Sequence, residues 1–267
     1  MNGTDFISDG EKLSDHNMMI CSFSSSEQVW TGGEITFTTI KPPNSDKQDF
    51  YLSSYDTPLS CEFSICKITC GIESQEDMKI TMEDYGNLMR WLVRKDGYHW
   101  MQFDVPEFED VYFNAYFNLK PYVVGGVTVG FDVTMTTDSP YGYSKLYKKS
   151  FNVTTDKYTF INYSDAIGTI YPKCTIKPKK SGLLNFKSGI SGDEVETEIA
   201  SVIANDSIIL DGKSDLFVGN FDASGFNFNF PIMKNSYTDR HTYFYKTSNS
   251  VDFTMDLEWR YIRMVTV

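Results

Sequence analysis

Residues 81–101, TMEDYGNLMRWLVRKDGYHWM, form the one helical pattern in a chain that otherwise reads as strands and turns. Thr81 suits the N-cap, and Glu83 and Asp84 place negative charge in the first turn. Arg90, Arg94 and Lys95 place positive charge in the last turn, and Gly97 is the expected stop. The apolar members Met82, Tyr85, Leu88, Met89, Trp91 and Leu92 recur at three- and four-residue steps. One face of this helix should therefore bury against a sheet that cannot cover itself, as a packing element that carries no chemistry.

Around that marker, 267 residues allow one large all-β domain or two ordinary ones, and two are favoured. An aromatic share of 15%, with 20 Phe and 17 Tyr, suits broad, half-buried pleated surfaces and argues against disorder. The balance of 36 acidic against 24 basic residues gives a net charge of -12. That sign disfavours a nucleic-acid reader, whose affinity comes mainly from Lys and Arg. The N-terminus has no basic region followed by an apolar core, and no later run is long enough for a membrane span, so the expectation is a soluble protein made in the cytoplasm. Cys21, Cys61, Cys66, Cys70 and Cys174 lack zinc-site spacing and a nearby His, and read as small buried hydrophobes ahead of metal ligands or disulfides. The glycosylation-type triplets at Asn2, Asn152, Asn162 and Asn205 carry no meaning without a secretion signal.

Along the chain, 18–22 is apolar, and a strand should follow the Gly32-Gly33 turn until Pro42-Pro43-Asn44-Ser45 breaks it. Leu59, Cys61, Phe63 and Ile65 alternate with Ser60, Glu62, Ser64 and Cys66, the pattern of a strand with one buried face. VYFNAYFNLKPYVV and GVTVGFDVTMTTDSP should be antiparallel neighbours turned at Gly125-Gly126. From Pro140 strict alternation gives way to polar and basic residues, which places a domain junction near Ser164, with domains 1–163 and 164–267. Beyond Gly168, short strands return at roughly ten-residue intervals, as in a jelly-roll sandwich. Phe226, Phe228 and Phe230 are spaced by two, as in a strand. Val251, Phe253, Met255, Leu257 and Trp259 against Asp252, Thr254, Asp256 and Glu258 predict a final strand with one wet face.

Catalytic chemistry finds little support. Asp104, Glu107, Glu109 and Asp110 are the best supply of paired carboxylates for glycoside hydrolysis, but a loop fixes no distance between them and a solvated acidic loop explains them. His16, His99 and His241 lie beside no nucleophile motif, and His99, between Tyr98 and Trp100, reads as part of a packed aromatic cluster. The Gly pairs at 32–33 and 125–126 lack the Lys-Ser/Thr and the helix of a phosphate loop. Trp30, Trp259 and Tyr261 are candidates for stacking on sugars, with core or subunit packing as the alternative reading. No catalytic, cofactor or metal residue is assigned, and ligand-binding residues are unknown.

The order of features carries a resemblance. DGEKLSDHNMMICSF, ITFTTIKPPNSDKQDFY, LMRWLVRKDGYHWMQFD, VYFNAYFN and GVTVGFDVTMTTDSPYGYS follow one another as in the N-terminal domain of the distal tail protein (Dit) family of long-tailed phages. NYSDAIGTIYPKCTI, IILDG and EWRYIRMV then resemble the entry, centre and end of that family's C-terminal domain. The resemblance implies a mainly β fold: an N-terminal β-sandwich or split-barrel-like domain with one helix, then a galectin-like or jelly-roll sandwich. It implies a virion protein of the tail tip, without catalytic residues or cofactors, forming a homohexameric ring. Its partners would be the tail tube protein, the tape measure protein and a tail-associated tip or lysin protein. It lacks the long inserted arm and extra sugar-binding module of larger relatives. The -12 charge suits an acidic conduit that repels passing DNA, and the aromatic excess suits large permanent contacts. Three classes stay open: a tail hub, a module binding a host cell-wall saccharide, and an enzyme.

Overall fold

The computed structural model describes residues 5–23, 29–55, 57–69 and 75–265. They divide into two compact units, Met1–Tyr143 with Met264–Val267, and Ser144–Arg263. Both are built almost wholly from antiparallel strands, with one α-helix among the described residues.

The first unit contains β1 (Phe6–Ser8), β2 (Glu11–Lys12), β3 (Met18–Cys21), β4 (Val29–Thr31), β5 (Ile35–Ile40), β6 (Asp49–Tyr55), β7 (Ser60–Lys67), helix α1 (Met82–Leu92), β8 (His99–Phe103), β9 (Phe113–Val124), β10 (Val127–Thr137) and β11 (Gly142–Tyr143). Its main sheet runs β2-β1-β8-β9-β10-β7-β3, and β4 also pairs with β7. The expected β9–β10 hairpin is present, paired from Val127 opposite Val124 to Thr137 opposite Ala115. Gly125 and Gly126 both take positive φ, +57° and +87°, as a two-residue hairpin turn requires. Phe6, Phe63, Phe103, Phe113, Phe117 and Phe131 form an aromatic core under α1.

Helix α1 starts where the sequence predicts. Thr81 Oγ1 accepts from the Asp84 N–H at 3.1 Å, and the Asp84 carboxylate accepts from the Thr81 N–H at 3.0 Å, a reciprocal cap. Leu88, Trp91 and Leu92 are buried, and Trp91 stacks on Phe6 at 5.6 Å, whereas Met82 is 83% exposed and does not join the packing face. The helix ends at Leu92, short of the expected stop at Gly97, and residues 99–101 are strand. Pairing decides this end: β8 fills the slot between β1 and β9 and buries Met101 and Phe103, which outweighs local helical periodicity.

Burial pushes the Asp84 carboxyl up, but hydrogen bonds from Thr81 and the Lys67 ammonium at 3.1 Å outweigh it and hold the group below its ordinary value. The folded unit therefore binds this proton less readily than the unfolded chain. Its stabilisation is fully present above the unfolded carboxyl value of about 4 and is lost as pH falls through the lower folded value. Denaturant melts between pH 6 and pH 2 should show this loss, and Asp84→Asn should flatten that part of the profile.

On β7 the expectation of a single buried face is too simple. Cys61, Phe63 and Ile65 are buried as predicted, but Ser64 and Cys66 are buried as well. Ser64 Oγ donates to Asp132 at 2.9 Å. Phe23 lies against Gly130, where a Cβ would stand 2.3 Å from the ring, so this glycine admits the aromatic cover over the second face.

The second unit contains β12 (Tyr147–Val153), β13 (Tyr158–Ile161), β14 (Gly168–Ile170), β15 (Lys173–Pro178), β16 (Gly182–Ile190), β17 (Asp193–Val202), β18 (Ile208–Asp211), β19 (Leu216–Val218), β20 (Met233–Asn235), β21 (His241–Lys246), β22 (Phe253–Trp259) and β23 (Ile262–Arg263). Two sheets, β12-β22-β15-β18-β19 and β13-β21-β16-β17, enclose a core that includes Ile176, Phe186, Leu210, Phe244 and Met255. The alternation of the last long strand is realised. Phe253, Met255 and Leu257 are fully buried, while Glu258 and Asp256 face outward toward Lys148 at 2.7 Å and Lys177 at 4.0 Å.

Two expectations need correction. The division falls between Tyr143 and Ser144, not after residue 163. β12 and β13 pair with β22 and β21 and are edge strands of the second unit, so the exposed Lys148 and Lys149 of β12 mark an edge strand and not a junction. Phe226, Phe228 and Phe230 form no strand: Phe226 is buried, while Phe228 takes φ +57° and is 56% exposed.

Candidate docking surface

β5 and β6 form a separate two-stranded sheet, paired from Ile35 opposite Tyr55 to Ile40 opposite Asp49, with a register shift between Thr38 and Thr39. At its tip Ser45 N–H donates to Pro42 O at 3.2 Å and Asn44 takes φ +63°, a turn that Pro and Asn favour. At its base Tyr55 packs edge-on to Tyr141 and donates to Met264 Sδ at 3.4 Å. Every residue of β5, and every residue of β6 except Tyr55, is exposed. Ile35, Phe37, Ile40, Phe50, Tyr51 and Leu52 are each between 42% and 65% exposed. A lone two-stranded hairpin is marginally stable in water, and large apolar residues gathered on one mark an interaction site.

The residues singled out for chemistry disperse. Asp104 pairs with Lys12 at 2.8 Å, and Gln102 Nε2 donates to the backbone carbonyls of Phe108 and Glu109, which fixes the acidic turn around Pro106 as structure. No group of three His, Cys, Asp or Glu suited to a metal occurs among the described residues. His16 stacks on Trp91 at 4.1 Å and lies 3.0 Å from Glu11. His99 is not the aromatic-cluster residue expected: it sits between Asp9 at 2.7 Å and Asp96 at 3.1 Å. His241 lies 3.0 Å from Asp239.

Gly32 and Gly33 make a packing turn. A Cβ on Gly32 would stand 2.0 Å from Pro58 O, and one on Gly33 would stand 2.8 Å from the Leu59 side chain. Cys21, Cys61, Cys66 and Cys174 are free thiols, and Cys70 lies outside the described residues. Burial pushes the Cys61 thiol up to about 12 and raises Cys174 further, so neither is a nucleophile at neutral pH. The sugar-stacking candidates are not available as platforms: Trp259 and Tyr261 are 7% and 4% exposed, Tyr261 donates to Ile161 O at 3.0 Å, and Trp30 packs against Phe103 and Phe113.

Residues 1–139 match the family described as "Phage tail protein N-terminal domain", and residues 141–259 match the "Phage tail C-terminal domain". The chain belongs to this phage tail protein family. A search of curated proteins returns no match. Among solved structures, the tail protein is similar to the crystal structure of the Dit (gp 19.1) protein of phage SPP1, described as a paradigm of the hub adsorption apparatus in phages infecting Gram-positive bacteria. The likeness has a TM-score of 0.65 at 12% identity, over 96% of this chain and 98% of that one, and shows a shared two-domain β fold. The two family matches meet between residues 139 and 141, close to the division seen in the tail protein's contacts. The exposed hairpin had no signal in the sequence, because the residue types of β5 and β6 are those of an ordinary half-buried strand.

Proposed function

We propose that this tail protein is a distal tail hub without enzymatic activity. It forms a homohexameric ring that joins the tail tube protein and the tape measure end to a tail-tip or baseplate protein and leaves a channel for DNA. The β5–β6 hairpin carries this reading. Its six exposed large apolar side chains need a cover, and a closed ring of identical subunits supplies one to every copy without leaving an end. The fold shared with the SPP1 Dit protein supports the same position in the tail. A ring of chains each carrying -12 would line a conduit that repels passing DNA.

The reading is tested by light scattering of the purified chain followed by negative-stain images of the same fraction. A hexamer, or a stacked pair of hexamers, with a central hole is the expected result. A monomer that stays monomeric at high concentration and when mixed with the tube protein would sink it. A ring whose lumen proved basic would remove the conduit argument while leaving the hub.

A further inference from the structure

Two of the free thiols meet on the main sheet of the first unit. β3 pairs with β7 so that Met19 stands opposite Cys66 and Cys21 opposite Ser64. Cys21 and Cys66 therefore project from the same face of neighbouring strands, at diagonal positions. Their sulfurs are in contact, with the Cys21 thiol donating to the Cys66 sulfur. The other described thiols lie elsewhere: Cys61 belongs to the aromatic core on the opposite face of β7, and Cys174 to the core of the second unit.

The surroundings of the pair give its members different roles. The hydrogen bond from Cys21 outweighs burial at Cys66 and holds that thiol down at about 7, so much of it is thiolate at neutral pH. The same hydrogen bond, burial and the negative charges of Cys66 and Asp132 push Cys21 up, so the shared proton stays on Cys21. Asp132 is fixed beside the pair by the Ser64 hydroxyl at 2.9 Å. Cys21 is partly exposed, whereas Cys66 is only 7% exposed. A nucleophilic sulfur with its partner thiol already against it, reached through a narrow opening, suits a small oxidant.

We propose that Cys21 and Cys66 are a modification site at which a peroxide installs a reversible disulfide in the folded chain. The Cys66 thiolate attacks one oxygen of hydrogen peroxide. An S–O bond forms, the O–O bond breaks, and the departing hydroxide takes a proton from solvent, which leaves Cys66 as a sulfenic acid. With the thiolate gone, Cys21 is freed of the strongest influence that held its proton. It attacks the Cys66 sulfur, the S–S bond forms, the S–O bond breaks, and hydroxide leaves with the Cys21 proton as water. Two thiols and one peroxide thus give one disulfide and two waters, the sulfurs being oxidised and the peroxide reduced. The bond joins the edge strand β3 to β7 and closes the segment 22–65, which contains β4 and the exposed β5–β6 hairpin, so it restricts that segment when the first unit unfolds. The site lies wholly within the first unit and does not depend on the ring.

The test treats the full chain, reduced and then freed of reductant, with a small excess of hydrogen peroxide at neutral pH. Thiols counted after denaturation should fall from five to three. Trypsin cuts after Lys12, Lys41, Lys47, Lys67 and Lys79, so Cys21, Cys66 and Cys70 fall in separate peptides, 13–41, 48–67 and 68–79. Mass spectrometry without reductant should find 13–41 joined to 48–67, fragmentation of the joined pair should place the bond at Cys66 and not at Cys61, and dithiothreitol should release both peptides. Oxidation of the urea-unfolded chain, where the two thiols are no longer neighbours, should give a mixture of links. Absence of the Cys21–Cys66 link in the oxidised folded chain overturns the proposal, as does a bond to Cys61 or Cys70 in its place. A yield of that link as high in urea as in the folded chain also overturns it, because the fold would then not be what places the pair.

Discussion

Replacing Phe37 and Phe50 with glutamate should prevent assembly of the proposed ring and leave a folded monomer of 30.6 kDa. Both rings are more than 60% exposed in the isolated chain and meet each other at 6.1 Å, so a charge at either position costs the monomer little, within about 0.5 kcal/mol. In a ring the same positions pass from water to a subunit interface. Covering an aromatic side chain there contributes on the order of 1.5–3 kcal/mol, and a carboxylate held in its place without a partner costs several more. Because closure repeats the defect at every interface, the effect on assembly multiplies. Light scattering reads the outcome directly: wild-type mass for a ring, monomer mass for the double variant, with unchanged melting curves. A double variant that still assembled would show that the hairpin is not the joining surface. Glutamate at Lys41 or Lys47, near the tip, should matter less, because exposed charges there remain hydrated.

What the sequence reveals and what it hides divides along a physical line. Patterns whose cause is local were legible. The Thr81 cap and its first turn, the Gly125-Gly126 hairpin and the alternation of β22 all rest on interactions within a few residues or on one strand's two faces. Features set by distant partners were not. α1 ends at Leu92 because β1 and β9 claim residues 99–103, and β12 belongs to the second unit because β22 pairs with it. Burial of Trp259 and exposure of Phe37 are likewise properties of the assembled sheets, since either aromatic suits a strand equally well. The same limit hides the rows of side chains that cross β21, β16 and β17. Gly189 and Glu194 face each other across one hairpin, but Tyr243 is distant in the chain and joins them only through the pairing of β21 with β16. No spacing within any one of those segments could have shown it.

Trp91→Ala should produce the largest loss of stability of any single change in the first unit. Trp91 is 6% exposed, stacks nearly parallel to Phe6 at 5.6 Å, carries His16 on a second contact at 4.1 Å, and donates from Nε1 to Ser8 O at 3.2 Å. Truncation removes the ring that ties α1 to β1 and leaves a cavity against Phe6, which itself packs on Phe63 and Phe117. Loss of a buried Trp costs about 3–5 kcal/mol, and the abandoned Ser8 carbonyl adds roughly 1 kcal/mol or more. Trp91→Phe separates the two contributions, since it keeps a stacking ring and removes only the indole donor, and should cost less than half as much. Because the chain has two units, denaturation should be followed by probes specific to each and not reduced to a single free energy. The expected result is an early transition in the first unit with the transition of the second unit in place. Loss of the first unit's fold removes the hairpin's anchor at Tyr55 and Tyr141, so Trp91→Ala should also abolish ring formation, whereas Trp91→Phe should retain it.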